Sequence, residues 1–227
     1  MKLKEYLDID LLHKMIEEKM VVLNYHPNGY LRILTYSKEC QGERIWNDVT
    51  EKCRGLIIDG DNNIISRPFK KFYNYEELIA DAFPIGKYLN ENMAFDAYEK
   101  LDGSLGIMYW INDVPYIATK GSFTSDQALH ATELLHTKYR NVWDKLDRNK
   151  TFLFEIIYPE DLHVVTYKDV DDIFLIGVLD NEDENTEYDI ESYSDIFNTT
   201  KKYIGVENWR SLREQIDGTN REGFVIR

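Results

Sequence analysis

Short strand-like runs separated by tight-turn residues constrain this chain more than anything else in it. Val21–Tyr25 and Tyr30–Tyr36 flank Pro27-Asn28-Gly29, and Arg54–Ile58 and Asn63–Ser66 flank Asp59-Gly60-Asp61-Asn62. Leu105–Ile111 and Val114–Thr119 flank Asn112-Asp113. Gly, Asn and Asp tolerate positive φ or hydrogen-bond their own backbone, so each pair of runs predicts an antiparallel hairpin. Ala94–Tyr98, Phe152–Ile157, Ile173–Leu179 and Phe224–Ile226 read as further strands. Apolar spacing predicts a helix over Asp8–Met20, a long helix from Ser125 to about Leu146, and short helices at Ile190–Phe197 and Glu207–Ile216. Residues 37–50 read as a polar loop. Many hairpins with few helical crossovers imply an α+β fold of antiparallel sheets with flanking helices.

At 227 residues the chain can bury a sizeable core. Two cysteines, Cys40 and Cys53, provide neither a disulfide framework nor a metal-binding spacing, which suits a reducing compartment. No apolar run approaches the length of a membrane span, and the first residues lack a signal-peptide core, so a soluble, cytoplasmic protein is expected, without a membrane partner. The net charge of −14 speaks at first against nucleic acid. Its distribution weakens that objection, because residues 151–200 hold 14 acidic residues against one lysine. The acidity gathers around Asp169–Asp172 and Glu182–Glu191, as a solvated face would. By contrast, Arg67-Pro68-Phe69-Lys70-Lys71-Phe72-Tyr73 interleaves cations with aromatics. The expectation is that residues 67–73 face a cleft and residues 169–191 face away from it.

Arg54, Lys100, Lys120, Glu155 and Glu222 lie within or at the edges of apolar strands. A buried charge costs several kcal/mol unless paired. Each could be one half of a structural ion pair, but five together favour a shared polar cleft. Lys100 is the natural nucleophile, since burial and neighbouring cations both help an amine to lose its proton. Arg54, Lys71 and Lys120 could bind a polyphosphate. Glu155 and Glu222 are hard oxygen ligands suited to Mg²⁺. Phe72 and Tyr73 could stack on a base. The five histidines show no metal-type spacing, and no phosphate-binding Gly-rich loop is present. This set of parts describes nucleotidyl transfer onto a lysine.

Lys100-Leu101-Asp102-Gly103 also matches the Lys-x-Asp-Gly motif of the covalent nucleotidyltransferases, which include DNA ligases, RNA ligases and capping enzymes. Its surroundings are more specific. Cys53-Arg54-Gly55, Ser66-Arg67-Pro68-Phe69-Lys70-Lys71-Phe72-Tyr73-Asn74, Lys120-Gly121-Ser122, Gln127-Ala128-Leu129, Phe154-Glu155 and Glu222-Gly223-Phe224 occur in order around it. Together, from about residue 50 onward, they resemble the adenylyltransferase domain of the phage-type RNA ligase 1 family.

That resemblance implies a nucleotidyltransferase (ligase adenylation) domain over residues 1–227. It also implies an ATP-dependent RNA ligase using Mg²⁺ or Mn²⁺, in the host cytoplasm if phage-encoded. Lys100 would take AMP from ATP, and the activated end would be sealed between an RNA 5′-phosphate and a 3′-hydroxyl by a monomer. Arg54 and Lys71 would contact nucleotide phosphates, with Asp102, Gly103 and Lys120 close to the nucleotide. Glu155 would meet the ribose or the metal shell, and Glu222 would bind the metal. Two departures stand out: Lys52 occupies a position that is usually Glu, and the family's Lys-x-Lys strand (motif V) and C-terminal domain do not fall within these residues. A related DNA ligase, a capping-type enzyme and a non-catalytic nucleotide-binding remnant are the alternative readings.

Overall fold

The computed structural model describes residues 1–74, 77, 95–159, 165, 167, 169–204 and 222–227. The first sheet is a four-stranded meander of β1 (Val21–Tyr25), β2 (Arg32–Tyr36), β3 (Arg54–Ile58) and β4 (Ile64–Ser66). Its hairpins follow their turn residues. Asn28 Oδ1 accepts the backbone N–H of Tyr30 at 2.9 Å, and Asp59 Oδ1 accepts those of Asp61 and Asn63 at 2.9 and 2.8 Å. Successive side chains alternate between two cores. Leu34, Leu56 and Ile58 pack under the helices α1 (Leu3–Tyr6), α2 (Ile9–Glu17) and α4 (Asp48–Lys52), whereas Ile33 and Ile57 point to the opposite face.

That opposite face packs on a second sheet, ordered β10-β9-β8-β6-β7. Its strands are β6 (Ser104–Ile111), β7 (Val114–Ala118), β8 (Lys150–Ile157), β9 (Asp172–Asp180) and β10 (Glu187–Tyr188). Ile33 and Ile57 meet Ile107, Tyr109, Leu153 and Leu179 in the layer between the sheets. Each fully buried side chain of this kind contributes about 1.5–3 kcal/mol. The outer face of the second sheet is covered by α5 (Asp126–Thr137), through Ala131 and Leu135 against Ile117, Phe152 and Phe154. A small third sheet, ordered β11-β5-β12, joins β11 (Lys202–Tyr203), β5 (Ala97–Lys100) and β12 (Gly223–Ile226). All pairs within the three sheets are antiparallel. No helix among the described residues is long and apolar enough to cross a membrane.

Several boundaries differ from the sequence reading. Residues 37–50 are not a loop but hold α3 (Lys38–Glu43) and the start of α4. Ser37 caps the first by accepting from Cys40 N–H, and Asn47 caps the second by accepting from Val49 and Thr50, so the polar residues read as loop are helix starts. The helix expected over residues 125–146 stops at Thr137, and a 3-10 turn follows at Arg140–Lys145. Tertiary bonds break it: Tyr139 donates its hydroxyl to Asp172 at 2.7 Å, and Trp143 folds back to donate Nε1–H to the Leu135 carbonyl at 3.0 Å. The helix expected at Ile190–Phe197 is a 3-10 turn of four residues, Ile190–Tyr193. The strand expected at Ala94–Tyr98 runs from Ala97 to Lys100, and the helix expected at Glu207–Ile216 lies outside the described residues.

Candidate active site

Lys100 is the last residue of β5, and the turn Leu101-Asp102-Gly103 carries the chain from the small sheet into β6 of the second sheet. The nucleophile therefore sits at a junction between sheets. Across β5, the partner of Lys100 is Gly223, which places the preceding Glu222 beside it, and the Glu222 carboxylate forms an ion pair with Lys100 Nζ. Both side chains are about one-third exposed, so the pair is open to a ligand.

The turn is fixed from two sides. Gly103 N–H donates to Glu155 Oε1 at 2.9 Å. A side chain at Gly103 would drive into the Ile156 carbonyl and Glu155 Cγ, so the close approach of turn and β8 requires glycine. Asp102 N–H donates to the Tyr167 hydroxyl at 2.7 Å, and Asp102 Oδ2 accepts Val165 N–H at 2.8 Å. Asp102, expected to bind the nucleotide, thus also anchors the motif to residues 165 and 167. Glu155 sits on β8 opposite Leu105. Burial pushes its carboxyl up to about 7, with Glu222 adding to the rise and Lys100, the Gly103 N–H and Arg54 opposing it.

Arg54, Lys71 and Lys120 form the other half of the site. Arg54 opens β3, and the next residue, Gly55, has φ +108°, a conformation that side chains resist. A Cβ at Gly55 would strike Ile107 and lie 3.1 Å from the Lys120 carbonyl, so glycine lets the two sheets close where their cations meet. The loop after β7 is held by Asn24, whose Nδ2–H donates to the Gly121 carbonyl at 2.8 Å. These cations rest on aromatic rings. Lys120 Nζ is 4.0 Å from the Tyr36 ring centre, Lys71 Nζ is 4.2 Å from Tyr73 and 5.3 Å from Trp46, and the Arg54 guanidinium is 5.0 Å from Phe72. Burial lowers the pKa of both Arg54 and Lys71. Arg54 Nη1 is buried without a hydrogen-bond partner among the described residues.

The site residues named from sequence thus fall into two linked groups, Lys100, Asp102, Gly103, Glu155 and Glu222 on one side and Arg54, Lys71 and Lys120 on the other, with Arg54 acting electrostatically on Glu155. The expectation for residues 67–73 is only half met. Arg67 and Lys70 turn to the acidic block: Arg67 donates to the carbonyls of Asp180 and Asp183, and Lys70 pairs with Glu184 at 3.5 Å. Only Lys71 to Tyr73 join the cationic group. The cause is Phe69, whose ring lies on Gly177 of β9 and pins the start of the stretch to the second sheet. Sequence reasoning missed Tyr36 and Tyr167. The first reads as a strand end and the second as a loop residue, and neither carries a motif.

Glu155 and Glu222 fit a divalent cation of the Mg²⁺ type, which takes one or two carboxylates and fills its shell with phosphate and water. Among the described residues no group of three His, Cys, Asp or Glu side chains gathers as a self-sufficient metal cage.

A sequence profile described as RNA ligase, of the phage RNA ligase 1 type, matches residues 52–227. A protein described as a putative bifunctional polynucleotide kinase/RNA ligase, from Autographa californica nuclear polyhedrosis virus, is 28% identical over 156 residues. The match covers 59% of this chain and 22% of that protein, so the chain spans about a fifth of that relative's length. Among solved structures, an archaeal ATP-dependent RNA ligase matches 97% of this chain and 58% of its own at 14% identity and a TM-score of 0.58. A Naegleria gruberi RNA ligase mutant with ATP and Mn matches 97% and 78% at 16% identity and a TM-score of 0.53. A putative ATP-dependent DNA ligase from Aquifex aeolicus matches 96% and 58% at 14% identity and a TM-score of 0.57. The shared fold is the nucleotidyltransferase domain of ATP-dependent ligases.

Proposed function

Because the chain belongs to the phage-type RNA ligase 1 family, we propose that it works as an ATP-dependent RNA ligase and carries AMP on Lys100 as a lysyl-adenylate. The observation that supports this most is the meeting of Lys100, Glu222 and Glu155 at one sheet junction, with the Arg54 group across from them. Lys100 Nζ attacks the α-phosphorus of ATP. The N–P bond forms, the bond from the α-phosphorus to the bridging oxygen breaks, and its electron pair leaves with pyrophosphate. The attacking amine must shed a proton, and Glu222, in contact with Nζ, is placed to take it. Gly103 and Asp102 hold the turn so that Nζ keeps its direction. A bound Mg²⁺ or Mn²⁺, held by Glu222 and Glu155, would neutralise phosphate charge. AMP then passes to an RNA 5′-phosphate, and a 3′-hydroxyl displaces it to seal the strand.

The test is transfer of label from α-labelled ATP to protein in the presence of Mg²⁺. Wild type is expected to become labelled and Lys100→Ala to stay unlabelled. Label surviving in Lys100→Ala, or none in wild type, refutes the assignment. Fold similarity to a DNA ligase makes the acceptor worth testing separately. Competition between RNA and DNA ends is expected to favour RNA.

A further inference from the structure

The chain carries a net charge of −14, yet residues 138–150 hold five cations against two aspartates, a net of +3, which leaves −17 on the rest. This segment takes no part in the site described above. It starts at the end of α5, runs through the 3-10 turn Arg140–Lys145 and ends at Lys150, where β8 begins. Two of its cations are committed to the fold. Lys138 pairs with the buried Asp172 at 2.6 Å, and Lys150 lies 3.8 Å from Asp147 and 3.7 Å from the Tyr188 ring centre. The other three face solvent. Arg140 and Lys145 are exposed and, among the described residues, pair with no carboxylate. Arg148 meets Asp113, but the two side chains are 54% and 80% exposed, and such a pair holds its charges only weakly. Both arginines lie on indole rings: Arg140 is 4.0 Å from the Trp143 ring centre and Arg148 is 5.0 Å from that of Trp110. Trp143 is fixed in turn by its bond to the Leu135 carbonyl and by an edge contact with His136 at 5.1 Å.

We propose that Arg140, Lys145 and Arg148 form a docking surface for the phosphate backbone of the RNA strand, remote from the end that is sealed. The inference rests on the RNA ligase reading and extends it from the reacting end to the body of the strand. The strand β6 sets the separation. It leaves the Lys100 turn at Ser104 and reaches Trp110, under Arg148, six residues later, about 20 Å on at about 3.3 Å per residue. The 3-10 turn places Lys145 about 10 Å from Arg140, and three further residues carry the chain at most about 11 Å to Arg148. The three cations therefore form a strip that several successive phosphates can follow. A guanidinium lying on a ring keeps its N–H edge free, and that edge suits phosphate oxygens. Because the arginines cover the Trp110 and Trp143 rings, the strip meets charge rather than stacking on bases. The acidity of the remaining chain repels a polyanion elsewhere, which favours this face for the strand.

The experiment follows the fluorescence anisotropy of a labelled, 5′-phosphorylated single-stranded RNA of about 20 nucleotides, titrated from about 50 to about 200 mM salt. The triple variant Arg140→Gln, Lys145→Gln, Arg148→Gln is expected to bind about tenfold more weakly than wild type, with the slope of log affinity against log salt shallower by about 2, as three lost phosphate contacts require. A control triple, Lys4→Gln, Lys14→Gln, Lys19→Gln, removes the same charge from exposed positions on and beside α1 and α2, and is expected to stay within about twofold of wild type. Asp144→Asn with Asp147→Asn is expected to tighten binding, a gain that a misfolded protein cannot give. Equal losses in the two triples would reduce the effect to net charge and overturn the proposal. So would an unchanged affinity in the first triple or in the double variant, an unchanged salt slope in the first triple, or no binding by wild type. Transfer of label from ATP to Lys100 is expected to be the same in wild type and in all three variants. The docking surface can therefore fail while the adenylation of Lys100 stands.

Discussion

Two arginines thirteen residues apart in the chain, one buried and one half-buried, are treated in opposite ways. Arg67 is 3% exposed and held through two of its nitrogens: Nε donates to the Asp180 carbonyl at 2.5 Å, and Nη2 donates to the carbonyls of Asp183 and Thr186 at 2.9 and 3.3 Å. Its neighbour Lys52 is likewise satisfied by the Tyr6 carbonyl at 2.5 Å, Asp48 at 3.0 Å and Glu184 at 3.4 Å. Arg54 instead keeps a buried nitrogen unpartnered among the described residues and leans on Phe72. A buried donor left unpaired costs about 1–3 kcal/mol, so the fold tolerates at Arg54 what it avoids at Arg67. Satisfied cations stitch the first sheet's helices to the acidic hairpin. The unsatisfied one keeps a donor free, as the proposed contact with a nucleotide phosphate requires.

The sharpest way to break this contrast is to exchange the consequences. Arg54→Met is expected to slow transfer of AMP to protein about 10²–10³-fold, the loss typical of removing one preorganised donor, while unfolding temperature holds or rises. Single-turnover labelling and a thermal melt read the two effects. A large stability loss with intact labelling would make Arg54 structural. Arg67→Met should do the reverse. Three carbonyls lose their donor, and urea unfolding is expected to show a loss of about 3 kcal/mol, with labelling in the cold close to wild type.

How far this division could be read from sequence depends on the residue. Lys100, Glu155 and Glu222 were legible because a charge inside an apolar strand has few bland explanations. The hairpins around Asn28 and Asp59 were legible because turn chemistry is local. Arg67 and Arg54 look alike in sequence, each a cation at the edge of an apolar run, and only tertiary contacts separate them. Arg67 finds its carbonyls 113–119 residues away. Tyr36 and Tyr167 were invisible for the same reason. The two short helices in 37–50 were hidden by their caps, since Ser and Asn signal loops and helix starts equally well.

A third substitution sharpens the contrast at the seam between sheets. Gly55→Ala places a methyl against Ile107 and the Lys120 backbone at a φ of +108°. It is expected to cost about 1–3 kcal/mol and to slow labelling as well, because Lys120 must move. Stability loss with unchanged labelling would show that the spacing between Arg54 and Lys120 does not matter.

The smallest expected effect concerns Glu155, the one group that belongs to both sides of the comparison, since it holds the Gly103 turn and feels Arg54. Its carboxyl is raised from 4.5 to about 7, with burial as the main cause. Between those two values the native state holds a proton that the unfolded chain has released. The stability contributed by protonated Glu155 is therefore complete below about 4.5 and is lost as pH rises through about 7, with a slope of at most about 1.4 kcal/mol per pH unit. Glu155→Gln keeps an oxygen acceptor for Gly103 N–H but cannot ionise. Unfolding free energies measured from pH 4.5 to 8 should therefore move in the variant's favour, relative to wild type, as pH rises. Parallel profiles for the two proteins would mean that Glu155 is ionised throughout, and that the cations around it outweigh its burial.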